Sequence, residues 1–227
     1  MSEKSSVQSP AKTAPAADDT AIVAMPAEMV REAARVHLDA LAGSRTAIMG
    51  EAYVRAFIDW FRQPEHGGIA LVAIDSHSDV VGYVIGAPLG YPRVLSRHLV
   101  WIAAGAVIVR PWLFFRQQFR NGVLDRLLLV LGRSLLRGAV PELPAPTMSL
   151  VAIGVSPAAR GKKVGLRLLQ AFEKKARELH MRSLRLTTPS DNAAARRLYE
   201  RCGWRPFSAS DETTYYFRIL GEHSEAN

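Results

Sequence analysis

The spacing of apolar positions changes several times along this chain, and each change marks an element. Over 26–43, Met29, Ala33, Val36, Ala40 and Leu41 recur at helical spacing, with Pro26 suited to a first turn and Gly43 to a stop. A second helix is expected over 51–63, with Tyr53, Phe57, Trp60 and Phe61 on one side as core. The period then shortens. Ile69–Asp75 and Val80–Ala87 are β-rich runs joined by a polar turn, the pattern of an antiparallel hairpin closed off by Gly86, Pro88 and Gly90. Residues 91–138 are apolar, arginine-rich and helix-compatible, with a break expected at Pro111, and read as an insertion. Thr147–Val155 is a strand, and Val164, Leu168, Phe172, Ala176 and Leu179 follow at helical spacing. Ser183–Thr188 is a strand, a short helix is expected from Asp191 to before Gly203, and Arg205–Ala209 with Thr213–Leu220 form a terminal pair. The order α-α-β-β-insert-β-α-β-α-β-β describes a mixed α/β domain.

Composition narrows the class. With 227 residues, 48% hydrophobic and 22% charged, the chain builds one well-packed domain, expected over 23–220, with the insertion at 91–138 and disordered tails at 1–22 and 221–227. The first twenty residues are polar and Ala/Pro/Ser-rich and carry no secretory pattern. The longest charge-free apolar run, Leu99–Val109, is too short to span a bilayer. The single cysteine, Cys202, excludes an internal disulfide framework and is expected as a buried thiol in a helix. A cytoplasmic location fits these features, with association to the cytoplasmic membrane face as an alternative.

The chain carries a formal net charge of +8. Most of the excess sits between Tyr91 and Gly138, where eight arginines meet one acid, Asp125. On a helical wheel of 112–137, Arg116, Arg120, Arg126, Arg133 and Arg137 share an arc of roughly 140°, beside a leucine stripe. Three readings of this amphipathic stretch compete. It is a lid that shapes an acceptor pocket, a peripheral membrane contact through 99–137, or a homodimer interface. An arginine-lined pocket would favour an anionic acceptor such as a nucleotide-linked amino sugar. No zinc-finger, RNA-binding or helix-turn-helix pattern is present, so nucleic acid is not expected as a partner. His66, His77 and His98 lack metal-ligand spacing, and no metal site is expected.

The segment 153–169 carries the chemistry. The strand ends at Val155, Ser156-Pro157 forces a turn, and the small, basic loop Arg160-Gly161-Lys162-Lys163-Val164-Gly165 opens a helix. A helix start offers unpaired N–H groups and the positive end of the dipole, which suits a pyrophosphate. The loop is neither a P-loop nor a dinucleotide fingerprint. Val155, Pro157, Arg160, Gly161 and Gly165 match V-x-P-x-x-R-G-x-G-x-G/A, with Lys163 at the central glycine. A lysine fits there if 163 keeps a negative φ and offers only its N–H. About thirty residues on, Asn192, Ala195, Leu198, Tyr199, Gly203 and Trp204 match D/N-N-x-x-A-x-x-L/F-Y-x-x-x-G-F/W.

Together these two stretches resemble the GNAT N-acetyltransferase superfamily, closely over 147–207. The resemblance implies an α/β GNAT-like acyl-CoA N-acyltransferase fold, with a mixed, mostly antiparallel sheet flanked by helices. It implies acetyl-CoA as co-substrate and a small-molecule amine as acceptor. Ile153, Gly154 and Val155 would line the pantetheine arm. The backbone of Arg160, Gly161, Lys162, Lys163, Val164 and Gly165 would hold the pyrophosphate. Asn192 would bond near the pantetheine, Tyr199 would protonate the leaving thiolate, and the N–H of Val155 would meet the developing oxyanion. Many relatives place a glutamate on the strand before the loop; the corresponding position here is Ser149. Glu51, Glu142, Asp211 and Glu212 are the acidic candidates for a base, beside a water chain. A non-catalytic acyl-CoA-binding module and a membrane-surface acyltransferase of envelope biosynthesis are the alternative functions.

Overall fold

In the computed structural model, residues 20–109, 142–210 and 212–221 are described. Their centre is a seven-stranded sheet in the order β1-β2-β3-β4-β5-β7-β6. The strands are β1 (Ala21–Ala24), β2 (Ile69–Ile74), β3 (Val80–Pro88), β4 (Thr147–Val155), β5 (Ser183–Pro189), β6 (Arg205–Ala209) and β7 (Thr213–Ile219). Every neighbouring pair is antiparallel except β4 with β5. One face carries α1 (Val30–Ala40), the single turn α2 (Arg45–Ile48), α3 (Glu51–Arg62) and α4 (Tyr91–Val109). The other carries α5 (Val164–Glu178) and α6 (Ala193–Arg201).

The period changes read from the sequence locate most of these elements. The aromatic stripe of α3 is core: Tyr53, Phe57, Trp60 and Phe61 are all buried. Two elements were not anticipated. β1 begins at Ala21, inside the stretch read as a tail, and pairs with β2 from Ala21↔Ile74 to Ala24↔Leu71. α2 is capped by Ser44, whose hydroxyl accepts from the amide of Ala47 at 3.2 Å. Cys202 is not a buried helical thiol: it lies at the C-cap of α6 and is half-buried. Only 91–109 of the expected insertion falls among the described residues; the break at Pro111 and the arginine stripe of 112–137 lie outside them. No helix among the described residues is long and apolar enough to cross a membrane.

Two devices hold α5 against the sheet. A Cβ on Gly82 would come within 2.9 Å of Leu168, and one on Gly86 within 2.5 Å of the Phe172 ring and 2.6 Å of the Ser149 carbonyl oxygen. Glycine at both places lets the helix lie directly on β3. The second device is a buried polar junction. Glu173 on α5 accepts from the Trp204 indole at 2.7 Å and from Arg218 at 2.8 Å, and Arg218 also donates to the Cys202 carbonyl. Burial pushes the Glu173 carboxyl above its usual range, against the pull of Trp204 and Arg218.

Because backbone as well as a ring blocks the Gly86 position, Gly86→Ala is expected to lower stability by about 1–3 kcal/mol, read as a shift of the urea midpoint at unchanged slope.

Candidate functional site

β4 and β5 pair over three residues only, from Thr147↔Ser183 to Ser149↔Arg185. At the closed end Thr147 and Ser183 share a hydroxyl contact of 2.8 Å, and Ser183 donates to the Pro144 carbonyl. Beyond Ser149 the strands have no mutual register, although β4 runs on to Val155 and β5 to Pro189. The parting coincides with a bulge: Ile85 opposes Ala152 and Gly86 opposes Leu150, so Val151 is the extra residue. Ser156 donates its N–H to Val81 of β3. The two-residue alternation of a strand then turns the amides of Ile153 and Val155 away from β3, into the opening.

At the end of β4, Pro157–Ala159 forms a short turn and Gly161 adopts φ 80°, with open space where a side chain would stand. Arg160, Gly161, Lys162 and Lys163 are exposed, so no side chain plugs the turn. Lys163 is the N-cap of α5 and has no side-chain capping bond. Its φ is 58°, which overturns the negative value expected for a lysine at the glycine position. The loop keeps the left-handed bend that a glycine would adopt without strain, at a cost of roughly 1–2 kcal/mol. Among the described residues, the amides of Gly161, Lys163, Val164 and Gly165 meet no backbone acceptor. Val164 is buried beneath the turn, and a Cβ at Gly165 would sit 3.6 Å from Leu198 and Val155, leaving the approach above it open.

α6 brings the second motif to the same opening. Asn192 is its N-cap, and the side-chain oxygen accepts from the Ala195 amide at 3.1 Å. That oxygen is committed to capping, which leaves the exposed amide nitrogen to face a ligand. Tyr199 is buried against Trp204 and Tyr216, with ring centroids 6.0 and 5.7 Å away. Burial, and then Tyr216, raise its pKa well above the ordinary phenol value. Across β4, on the other face, the Tyr83 ring lies over Gly154: a Cβ there would be 2.6 Å from the ring. Burial raises the Tyr83 pKa, and Tyr199 adds to it. The two phenols therefore stand within electrostatic reach of each other through the parted strands.

Beside the bulge, α1, α2, α3, α4 and β4 line a half-open cavity of about 310 Å³. Leu41, Phe57, Leu95 and Leu99 form its apolar wall, Val151 and Ala152 its floor, and Ser44 and Thr46 its polar side. His37, also in the wall, was missed by the sequence reading because it sits on the buried side of α1 like any core residue. Its Nδ1 lies 2.5 Å from the Tyr83 hydroxyl and its Nε2 2.7 Å from the Thr46 hydroxyl. Burial lowers its pKa to about 4. None of Glu51, Glu142 and Glu212 lines this cavity; Glu51 instead stands 3.8 Å from Arg31. Asp211 is outside the described residues. Ser149 accepts from Arg185 at 3.0 Å. Among the described residues no cluster of His, Cys, Asp or Glu could hold a metal ion.

His37 also couples stability to acid. Its folded pKa of about 4 lies below the ordinary value of 6.5, so the unfolded chain takes up this proton first as pH falls. Stability is therefore expected to fall between pH 6.5 and 4, by about 3 kcal/mol from this residue. Urea midpoints should show that loss in the native protein and lack it in His37→Gln.

The model of the acetyltransferase (GNAT) family matches residues 130–204. No curated protein matches the chain in sequence. Solved structures do. A protein named SsHAT superposes with a TM-score of 0.62 at 21% identity, covering 90% of this chain and 100% of that one. The putative acetyltransferase yncA of Salmonella typhimurium, solved with acetyl-CoA, gives 0.57 at 15% identity, covering 92% and 99%. The phosphinothricin acetyltransferase of Sinorhizobium meliloti, also with acetyl-CoA, gives 0.58 at 13% identity, covering 92% of each chain. Residues 130–204 thus match the GNAT acetyltransferase family, and the chain as a whole carries the fold that these acetyltransferases share.

Proposed function

We propose that the protein is an acetyl-CoA-dependent N-acetyltransferase acting on a small amine. The observation that carries this reading is the opening between β4 and β5, with unpaired amides of a basic helix start at one end and a buried phenol beside it. Acetyl-CoA fits those features. Its diphosphate suits the amides of Gly161, Lys163, Val164 and Gly165 and the charges of Arg160, Lys162 and Lys163. Its pantetheine arm is an extended amide chain that can pair with the open edge at Ile153, Gly154 and Val155 as a further strand would. The free amide nitrogen of Asn192 stands ready for the same arm.

The roles of the chain's own groups follow from where they stand. The cavity under the bulge presents an amine to the thioester carbonyl along Val151 and Ala152. The N–H of Val155 receives the charge that grows on the carbonyl oxygen. Tyr199, kept neutral by burial, gives its proton to the departing sulfur. Acetyl-CoA carriage by the two superposed acetyltransferases supports the choice of donor.

Two variants test the reading. Gly165→Glu sets a carboxylate at the helix start between Leu198 and Val155, and is expected to weaken acetyl-CoA binding at least about tenfold by calorimetry. Unchanged affinity would remove the loop from the site. Tyr199→Phe is expected to lower kcat about a hundredfold, measured as thiol release, with acetyl-CoA affinity unchanged. Full turnover in that variant would remove the proton-donor role.

A further inference from the structure

We propose that the acceptor is a small primary amine with an apolar body and no acidic group, and that His37 takes its proton. This rests on the acetyl-transfer reading and goes past it by naming the acceptor class and the base.

The acceptor class follows from the cavity. Its volume of about 310 Å³ lies at the small end of ligand sites. No Arg, Lys, Asp or Glu is among its described lining residues. Against these described residues a phosphate or carboxylate would give up part of its hydration without meeting a cation, which is unfavourable. An alkyl or aryl body loses nothing by leaving water and gains contact with Leu41, Phe57, Leu95 and Leu99. The same wall disfavours the ammonium form, so the amine enters neutral, and the proton still to be removed is the N–H that turns acidic as nitrogen bonds to the thioester carbon.

The group that can take that proton is on the cavity wall. His37 lies on α1, and its polar neighbours are Tyr83 of β3, Thr46 of α2 and the α2 N-cap Ser44, with Tyr53 of α3 lining the same pocket. No carboxylate or ammonium stands among them. The proposal takes the tautomer protonated on Nδ1, in which that N–H donates to the Tyr83 oxygen and Nε2 accepts from the Thr46 hydroxyl. Thr46 lines the cavity and is half-buried. The transfer is then complete in two bonds. The amine N–H breaks as an O–H forms on Thr46, and the original Thr46 proton passes to Nε2. The nitrogen keeps its electron pair and forms the bond to the thioester carbon, and the carbon–sulfur bond breaks with its pair going to sulfur. Tyr199 supplies the proton that sulfur gains, and the imidazolium and phenolate return to neutrality by exchange with solvent. Tyr83 is a positioning residue: it fixes the imidazole and, lying over Gly154, ties it to the strand beside the thioester. Burial holds His37 neutral above about pH 4, so its ring carries no proton on the second nitrogen before the reaction.

The test uses the full chain, acetyl-CoA, and two probe amines, phenethylamine and glucosamine 6-phosphate. Native protein is expected to acetylate phenethylamine with kcat/KM at least about tenfold above that for the phosphorylated sugar. His37→Gln is expected to lower kcat for phenethylamine about a hundredfold with the acetyl-CoA Kd unchanged. Since a buried substitution can unfold the protein, Thr46→Val is the second arm. It should reproduce the kcat loss at a native melting temperature, and Thr46→Ser, which keeps the hydroxyl, should restore turnover. Preference for the sugar phosphate overturns the acceptor class, and full kcat in a folded His37→Gln or Thr46→Val overturns the base. Loss of acetyl-CoA binding in the native protein would instead sink the acetyl-transfer reading itself.

Discussion

The parting of β4 from β5 is what the site is built around. A parallel pair held along its whole length would satisfy its own amides and leave nothing for a ligand. Here hydroxyl contacts between Thr147 and Ser183 and the Arg185–Ser149 bond seal one end, and one extra residue, Val151, bends the strand immediately beyond. Past that point β4 is held on one side only, by β3. Its open edge exposes the amides of Ile153 and Val155 to whatever enters. An open strand edge of this kind can be paired by an extended ligand that carries its own amides.

The direction of that ligand is set by α5. Glycines 82 and 86 bring the helix axis close to β3, while the Glu173 junction fixes its far half to the turn before β6 and to β7. The helix start is therefore held at the mouth of the opening by packing remote from the loop. This explains how the loop tolerates a left-handed lysine. The bend is imposed by the elements on either side, and the strain at Lys163 is offset by their packing.

Much of this was legible in the sequence because it is local. The hairpin, the strand-turn-helix at 147–178 and the α6 motif each declare themselves within a short window, through period and punctuation. What escaped has the opposite character. β1 is a four-residue edge strand with little burial, and its identity comes from β2. The sequence gives no sign that β4 carries a bulge, since Val151 is apolar in any register. The His37–Tyr83 pair joins residues 46 apart, one on an amphipathic helix and one in a strand, and each alone reads as core. Lys163 was legible as a departure from glycine but not as a departure in side chain alone, because φ is set by the fold. Asn192 was found by its motif, yet its capping of α6 is a role that the residue type and the following helix could have shown.

Proton acceptance by His37, as proposed, fits the hydroxyl that Ser149 places at the apex of the opening. A carboxylate at that register would stand beside Arg185, whose burial already holds its pKa down, and would form a tight pair with it. Such a pair would lower the basicity of the acid and place a dipole at the apex of the opening. With a hydroxyl there instead, the apex is held by a neutral contact, and the cavity beneath it is free of fixed negative charge along its described lining. A neutral imidazole is the base compatible with that environment. It needs no counter-ion before the reaction, and the charge it gains lasts only until solvent removes the proton. The low dielectric that depresses His37 also disfavours the ammonium form of an acceptor.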